Sequence, residues 1–212
     1  AGLPFGLTTE TLNQVCASGM RSVTLAETMV RAGDYEVVLA GGMESMSNCP
    51  YLLPKARCGA RMGDFAAVDS MVHDGLLDAF ERVNMVRFGT EGARRWGISR
   101  EEQDRWALRS HRRAAAATDE GRLAEEIVGV KVPGGKSRAE FVERDEPIRR
   151  DTSLEKLAAL PPLDEGGTVT AGNAPGVTDG AAALVVAGEG FARRRNLEPL
   201  GTIVAHAKVG RA

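Results

Sequence analysis

The chain has 212 residues, 43% of them hydrophobic and 26% charged, enough apolar material for one or two globular cores. A formal charge of −2 excludes a global field that would recruit nucleic acid or an anionic membrane, and no run is long enough to span a bilayer. Three widely spaced cysteines make neither a disulfide framework nor a zinc site, so the expectation is a cytoplasmic chain with reduced thiols, with no nucleic-acid and no membrane partner.

The opening, Ala1-Gly-Leu-Pro-Phe-Gly, lacks the charged and apolar regions of a signal peptide. Met20, Val23, Ala26 and Val30 then recur at helical spacing, with Gly33 as the stop. Glu36 to Ala40 reads as a short buried strand ended by Gly41-Gly42. Helix followed by buried strand is the pattern of a parallel α/β layer, and this first part runs over residues 1–46.

Residues 47–177 are more irregular and more charged. Ser99, with Glu102 three residues on, predicts a capped helix that ends before Gly121. Glu126 to Val132 alternates like a half-exposed strand, and Pro161-Pro162 breaks the chain. The composition predicts a satellite domain or a long excursion from the layered core.

Apolar character returns over residues 178–199. Gly180 to Ala187 reads as a buried strand and Glu189 to Arg195 as a helix, with Arg193-Arg194-Arg195 a solvated helix end. In residues 200–212, Gly201 to Ala207 reads as one further strand. A terminal strand without a partner, and a helix without a preceding βαβ unit, give the expectation of a truncated chain.

Most of the chemical information sits in Asn13-Gln14-Val15-Cys16-Ala17-Ser18-Gly19-Met20. Cys16 falls where extended chain turns into helix. A thiol there feels the positive end of the helix dipole and free N–H groups, which favour the reactive thiolate. Ala17, Ser18 and Gly19 leave room for an incoming thioester. On the residues alone, a buried structural cysteine and an exposed nucleophile both stay open.

The string Asn13 to Val23 and the later Val38-Leu39-Ala40-Gly41-Gly42-Met43-Glu44-Ser45-Met46-Ser47 resemble the nucleophile segment and following strand of thiolases. The resemblance continues through Arg61-Met62-Gly63-Asp64, Met71 to Leu76, Ile98 to Asp104, Thr168 to Ala174 and Asp179-Gly180-Ala181-Ala182. It implies an α/β fold of αβαβα layers, here incomplete, with residues 1–46 and 178–199 in the N-terminal core domain. Residues 47–177 would be an inserted α+β loop domain contacting coenzyme A, and 200–212 the start of a C-terminal core domain.

The same resemblance implies that Cys16 accepts an acyl group from a 3-ketoacyl-CoA or acetyl-CoA. It puts Met85, Arg149, Leu163, Ala171, Gly172, Ala174 and Pro175 along coenzyme A, with Arg149 near the nucleotide end and Leu163 near the adenine. Coenzyme A and acyl-CoA are then substrates; no metal and no permanently bound cofactor is implied. A homodimer or homotetramer is expected, with residues 51–64 similar to the loop of the tetramer contact, and the metabolic setting is fatty-acid β-oxidation.

Several positions depart from the family pattern. Pro175 replaces a serine and so removes both a hydroxyl and a backbone donor. Asn84-Met85-Val86 stands where the family often has His-Met-Gly, Phe88 to Gly92 departs from the usual Thr-Ala-Glu-Asn, and Leu163 offers no ring for stacking. The family's cycle also uses a histidine in a Gly-His-Pro context and a second cysteine in Cys-x-Gly. His73, His111 and His206 lack that context, and Cys49 and Cys58 read as structural or incidental. His111 is expected on the solvated side of its helix.

The leading expectation is thiolase-type acyl transfer, with the 212-residue chain alone inactive in turnover. The alternatives are a catalytically incompetent thiolase-like piece that binds acyl-CoA or lipid or serves association, and a ketoacyl synthase of the same fold.

Overall fold

The computed structural model describes residues 2–132 and 140–209. The chain forms two compact units, one of Ala1–Gly75 with Thr178–Ala212 and one of Leu76–Val177.

In the first unit, helix α1 runs over Ser18–Ala32 and ends where Gly33 takes a left-handed conformation, φ +87°. That backbone suits a glycine and lets its N–H satisfy the carbonyls of Met29 and Val30. Strand β1, Val37–Glu44, pairs antiparallel with a later strand, Gly180–Ala187. The register joins Val37 to Ala187 and Glu44 to Gly180. The ladder is therefore antiparallel, where the helix–strand order alone had pointed to a parallel layer.

Side chains on alternate strand positions face opposite ways. On one face, Ala40 is buried and Val38 and Val186 are half-buried. Gly42 belongs to this face, and a Cβ there would come 2.9 Å from Gly19 Cα. Two glycines thus let the start of α1 rest directly on the strand. The Ser22 hydroxyl lies 2.8 Å from both the Gly19 and Gly41 carbonyls, and so donates across the same junction.

The opposite face of the pair is open. Leu39, Met43 and Val185 are 56%, 87% and 68% exposed, although both strands read as buried in the sequence. Apolar composition marks a strand meant to be covered, but with α1 on one face only, the other stays in solvent.

Between the paired strands lie two single turns of 3₁₀ helix, Met46–Asn48 and Ala56–Cys58, with a short ladder between β2, Tyr51–Leu52, and β3, Val68–Asp69. Asp179 ties the ends of the main ladder together. Its carboxylate accepts from the Ser47 N–H at 2.9 Å and from the Ser47 hydroxyl at 2.6 Å. The hydroxyl bond first, then the backbone bond, holds the Asp179 carboxyl below its usual value.

In chain order, the strand Gly180–Ala187 is β6, and a short helix α5, Glu189–Arg194, follows it. Residues 201–207, expected as a strand, form none. This stretch is held by a side chain instead: His206 Nε2 lies 2.9 Å from Glu27 Oε2 on α1. Residues 210–212 of the expected C-terminal segment lie outside the described residues.

The second unit contains α2, Met85–Trp96, α3, Arg100–Asp119, a two-stranded ladder of β4, Val130–Val132, with β5, Glu140–Val142, and α4, Leu154–Ala158. α3 opens on the expected capping box, with Ser99 and Glu102 each bonded to the other's backbone. The strand expected from Glu126 begins only at Val130, because residues 121–126 are taken up by turns after the helix. Ala107, Leu108 and Leu157 form the core, with Leu160 packed against it.

Candidate active site

Cys16 is exposed and lies just before the N-cap of α1, Ala17, which makes no side-chain capping bond. Tight turns close from the Ala17 N–H to the Gln14 carbonyl and from the Ser18 N–H to the Val15 carbonyl, each 3.1 Å. The buried structural alternative for this thiol is thereby removed. Cys58 is also exposed, whereas Cys49 is half-buried with its Sγ 3.8 Å from the Ser45 carbonyl oxygen.

The seven other expected site residues all belong to the second unit. Leu163 and Ala171 flank an antiparallel bridge between Pro162 and Thr170, and the Leu163 N–H donates to the Val169 carbonyl at 2.8 Å. Leu163, 52% exposed, lines an open cleft of about 670 Å³ together with Asn84, Val86, Arg87, Glu91 and Asp164. Met85, the first residue of α2, stands between two of these lining residues and is itself half in solvent. Its helix is capped by the Asn84 side chain, which accepts from the Val86 N–H.

The floor of this cleft is charged. Asp164 Oδ1 accepts from the Thr90 hydroxyl at 3.1 Å, and Thr90 is fully buried. Asp164 Oδ2 is buried with no hydrogen bond among the described residues, but faces Arg87 Nη1 at 3.7 Å. Arg87 also donates from Nε to Glu91 at 3.1 Å.

The turn carrying Ala171, Gly172, Ala174 and Pro175 is built from its own side chains. The Thr170 N–H donates to Asn173 Oδ1 at 2.8 Å, and the Thr170 hydroxyl accepts from the N–H groups of Gly172 and Asn173. The Asn173 amide then reaches Asp104 Oδ1 on α3 at 3.0 Å and the Thr168 carbonyl at 3.1 Å. Asp104, only 3% exposed, is balanced by Arg100, whose Nε lies 2.9 Å away. Arg100 also caps the end of α4 through the carbonyls of Leu157 and Leu160.

Gly172 is closely packed, since a Cβ there would meet Leu157 Cδ2 and Leu160 Cδ1, both at 2.5 Å, and these leucine ends would have to shift. Ala174 is half-buried, while Ala171 and Pro175 are exposed.

Arg149 is held by its backbone, whose N–H donates to His111 Nδ1 at 3.2 Å, leaving its side chain exposed. Next to it, Arg150 donates to Asp119 at 2.7 Å, and this bond holds the Asp119 carboxyl below its usual value. His111, expected on the solvated side of α3, is half-buried and accepts this bond, because its position on the helix faces the returning chain.

Sequence reasoning did not single out Asp164, and Thr90 entered only within a stretch that departs from the family pattern and Asp104 only within a resemblance. Thr170 and Asn173 were likewise visible only as part of a resemblance. Their signal was present as a threonine and an asparagine three apart around Ala171-Gly172, side chains that bond to their own turn. Among the described residues, no group of three or more His, Cys, Asp or Glu side chains is arranged to hold a metal ion. No described helix is long and apolar enough to cross a membrane.

A family model, thiolase N-terminal domain, matches residues 1–190. An acetyl-CoA acetyltransferase of Chromobacterium violaceum is 46% identical over 211 residues, which are 99% of this chain and 54% of that protein. A probable acetyl-CoA acyltransferase of Staphylococcus aureus is 44% identical over 203 residues, 95% of this chain and 52% of that protein. The solved acetyl-CoA acetyltransferase from Syntrophomonas wolfei superposes with a TM-score of 0.88 at 41% identity, covering 94% of this chain and 50% of that one. The chain thus spans about half the length of the curated relatives it matches. At that identity and TM-score the likeness carries the layered thiolase-like α/β fold in part, and with a thiolase domain matched over most of its length, the chain belongs to the thiolase family.

Proposed function

We propose that the chain serves thiolase-type acyl transfer between a 3-ketoacyl-CoA, or acetyl-CoA, and coenzyme A, with Cys16 as the acyl acceptor. The observation that carries this is an exposed thiol immediately before an uncapped helix start, inside the matched thiolase domain. With a 3-ketoacyl-CoA, Cys16 Sγ attacks the 3-keto carbonyl, an Sγ–C bond forms, the C2–C3 bond breaks and acetyl-CoA leaves once C2 takes up a proton. With acetyl-CoA, Cys16 Sγ attacks the thioester carbonyl, an Sγ–C bond forms, and the C–S bond to coenzyme A breaks. The thiol proton leaves with the coenzyme A thiolate. Charge building on the carbonyl oxygen is met by backbone N–H donors, for which the first turn of α1 is one source.

Met85, Arg149, Leu163, Ala171, Gly172, Ala174 and Pro175 are the proposed contacts for coenzyme A, on a loop domain of residues 47–177. Support comes from Leu163 on an open cleft, from Asn84 and Val86 beside Met85 on the same cleft, and from the internally bonded turn after Thr170. Arg149 offers an exposed guanidinium, suited to a phosphate. Residues 1–46 and 178–199 serve as core domain, and 200–212 as the start of a further one. The relatives' names fit acyl-CoA and coenzyme A as substrates. A place in fatty-acid β-oxidation, a cytoplasmic location and a homodimer or homotetramer complete the proposal.

Incubation with acetyl-CoA, followed by peptide mass spectrometry, tests it. An acetyl group is expected on Cys16 and lost in Cys16→Ser. Equal acetylation of all three cysteines, or none on Cys16, would sink the proposal. Full thiolytic turnover is not expected of this chain, because none of its histidines has the Gly-His-Pro context.

A further inference from the structure

The turn that carries Cys16 holds a rare backbone conformation one residue earlier. Val15 sits at φ +50°, in the left-handed region. For a β-branched residue this is a true outlier, and it persists only where the surroundings over-determine it.

Two side chains supply that determination. Asn13 Oδ1 accepts from the Val15 N–H at 2.8 Å. The Ser18 hydroxyl donates to the Val15 carbonyl at 2.6 Å and accepts from the Gln14 N–H at 2.8 Å. Both backbone polar groups of Val15 are thus held in a cage of Asn13 and Ser18. The Cys16 thiol, next in the chain, is exposed.

Given the acyl-accepting role proposed for Cys16, we infer that Asn13 and Ser18 are its positioning residues. They lock Val15 in the left-handed conformation and thereby fix where the thiol stands at the head of α1. Without the cage, Val15 falls back to an ordinary conformation and the segment before α1 rearranges, so the thiol loses its fixed presentation. Neither side chain touches the reacting atoms in this scheme; both act through the backbone of Val15.

Glycine supplies the test, because it adopts a positive φ at no steric cost. The readout is the rate of iodoacetamide modification at Cys16, with Cys49 and Cys58 in the same molecule as internal standards. Asn13→Ala is expected to slow Cys16 by roughly fivefold or more while leaving the other two unchanged. Val15→Gly alone should stay within about twofold of the parent, and Asn13→Ala with Val15→Gly should recover to the same range.

An unchanged Cys16 rate in Asn13→Ala, or failure of Val15→Gly to restore it, overturns the inference. Should Asn13→Ala unfold the chain, seen as faster Cys49 modification, restoration by Val15→Gly supports the cage and its failure overturns it. Since alkylation is read rather than acyl transfer, absence of an acetyl adduct on parent Cys16 would remove the proposed function and leave the cage standing.

Discussion

Leu163 is the residue proposed to lie beside the adenine of coenzyme A. It is about half exposed on the cleft shared with Asn84 and Val86, and an aliphatic side chain there gives an adenine no ring to stack on. Replacing it with phenylalanine is expected to tighten coenzyme A binding by about 1 kcal/mol, the usual scale of an aromatic pair. Titration calorimetry would read this as a several-fold lower Kd, and no change would place the adenine elsewhere. A second expectation concerns the thiols. Limiting iodoacetamide near neutral pH should modify Cys16 first, because it is exposed immediately before the uncapped start of α1. Cys49 should come last, being half-buried with its sulfur against the Ser45 carbonyl. Modification of Cys49 ahead of Cys16 would mean that the helix start confers no advantage. The place of Cys16 at a helix head was legible in the sequence, since small residues and an apolar 3.6-residue rhythm follow it. The cage around Val15 was not, because hydrogen bonds from Asn13 and Ser18 to the backbone depend on a φ value that no residue type announces.

Among the elements, α3 was the most legible. Its capping box needs only Ser99 and Glu102 at the right spacing, and both reciprocal bonds are present. The Ser99 backbone N–H first, and its hydroxyl second, hold the Glu102 carboxyl below its ordinary value of 4.5. A carboxylate with a depressed folded pKa stabilises the fold above its unfolded value and ceases to do so as pH falls through the folded one. The melting temperature of Glu102→Gln should therefore lie below that of the parent near neutral pH. The two should converge under acid conditions, below 4.5. A gap that persists in acid would assign the effect to packing instead. The strands were less legible. Apolar composition located β1 and β6 but said nothing of their antiparallel pairing, which depends on Glu44 meeting Gly180 across more than a hundred residues. The polar interior of the second unit was equally hidden, because Asp104 reads as one more charge on a charged helix. It is instead the acceptor shared by Arg100 and Asn173. Asp104→Ala strands both donors and is expected to cost about 3 kcal/mol, as for a broken buried ion pair. Asp104→Asn keeps an oxygen for one of them and should cost less. Equal losses in the two variants, measured by denaturant unfolding, would show that the charge carries the whole effect.

For the whole molecule, the face of the β1–β6 pair away from α1 matters most. Leu39, Met43 and Val185 lie on it in solvent, and contiguous apolar surface of this kind marks an association site. The 212-residue chain is therefore expected to sediment as an oligomer or aggregate at micromolar concentration. A compact monomer would show that this face is tolerated in water. Residues 53–67, enclosed by the short β2–β3 ladder, add a different kind of consequence. All fifteen are exposed, and they include Lys55, Arg57 and Arg61. Trypsin should find its first cuts there, since a loop fastened only by two residue pairs can open to fit a protease without disturbing either unit. The nicked halves should still migrate together on a native gel, held by the eight-residue ladder and by the Asp179 clasp on Ser47. If this loop is also where subunits meet, the cuts will slow as the protein is concentrated, so that a protease becomes a gauge of assembly.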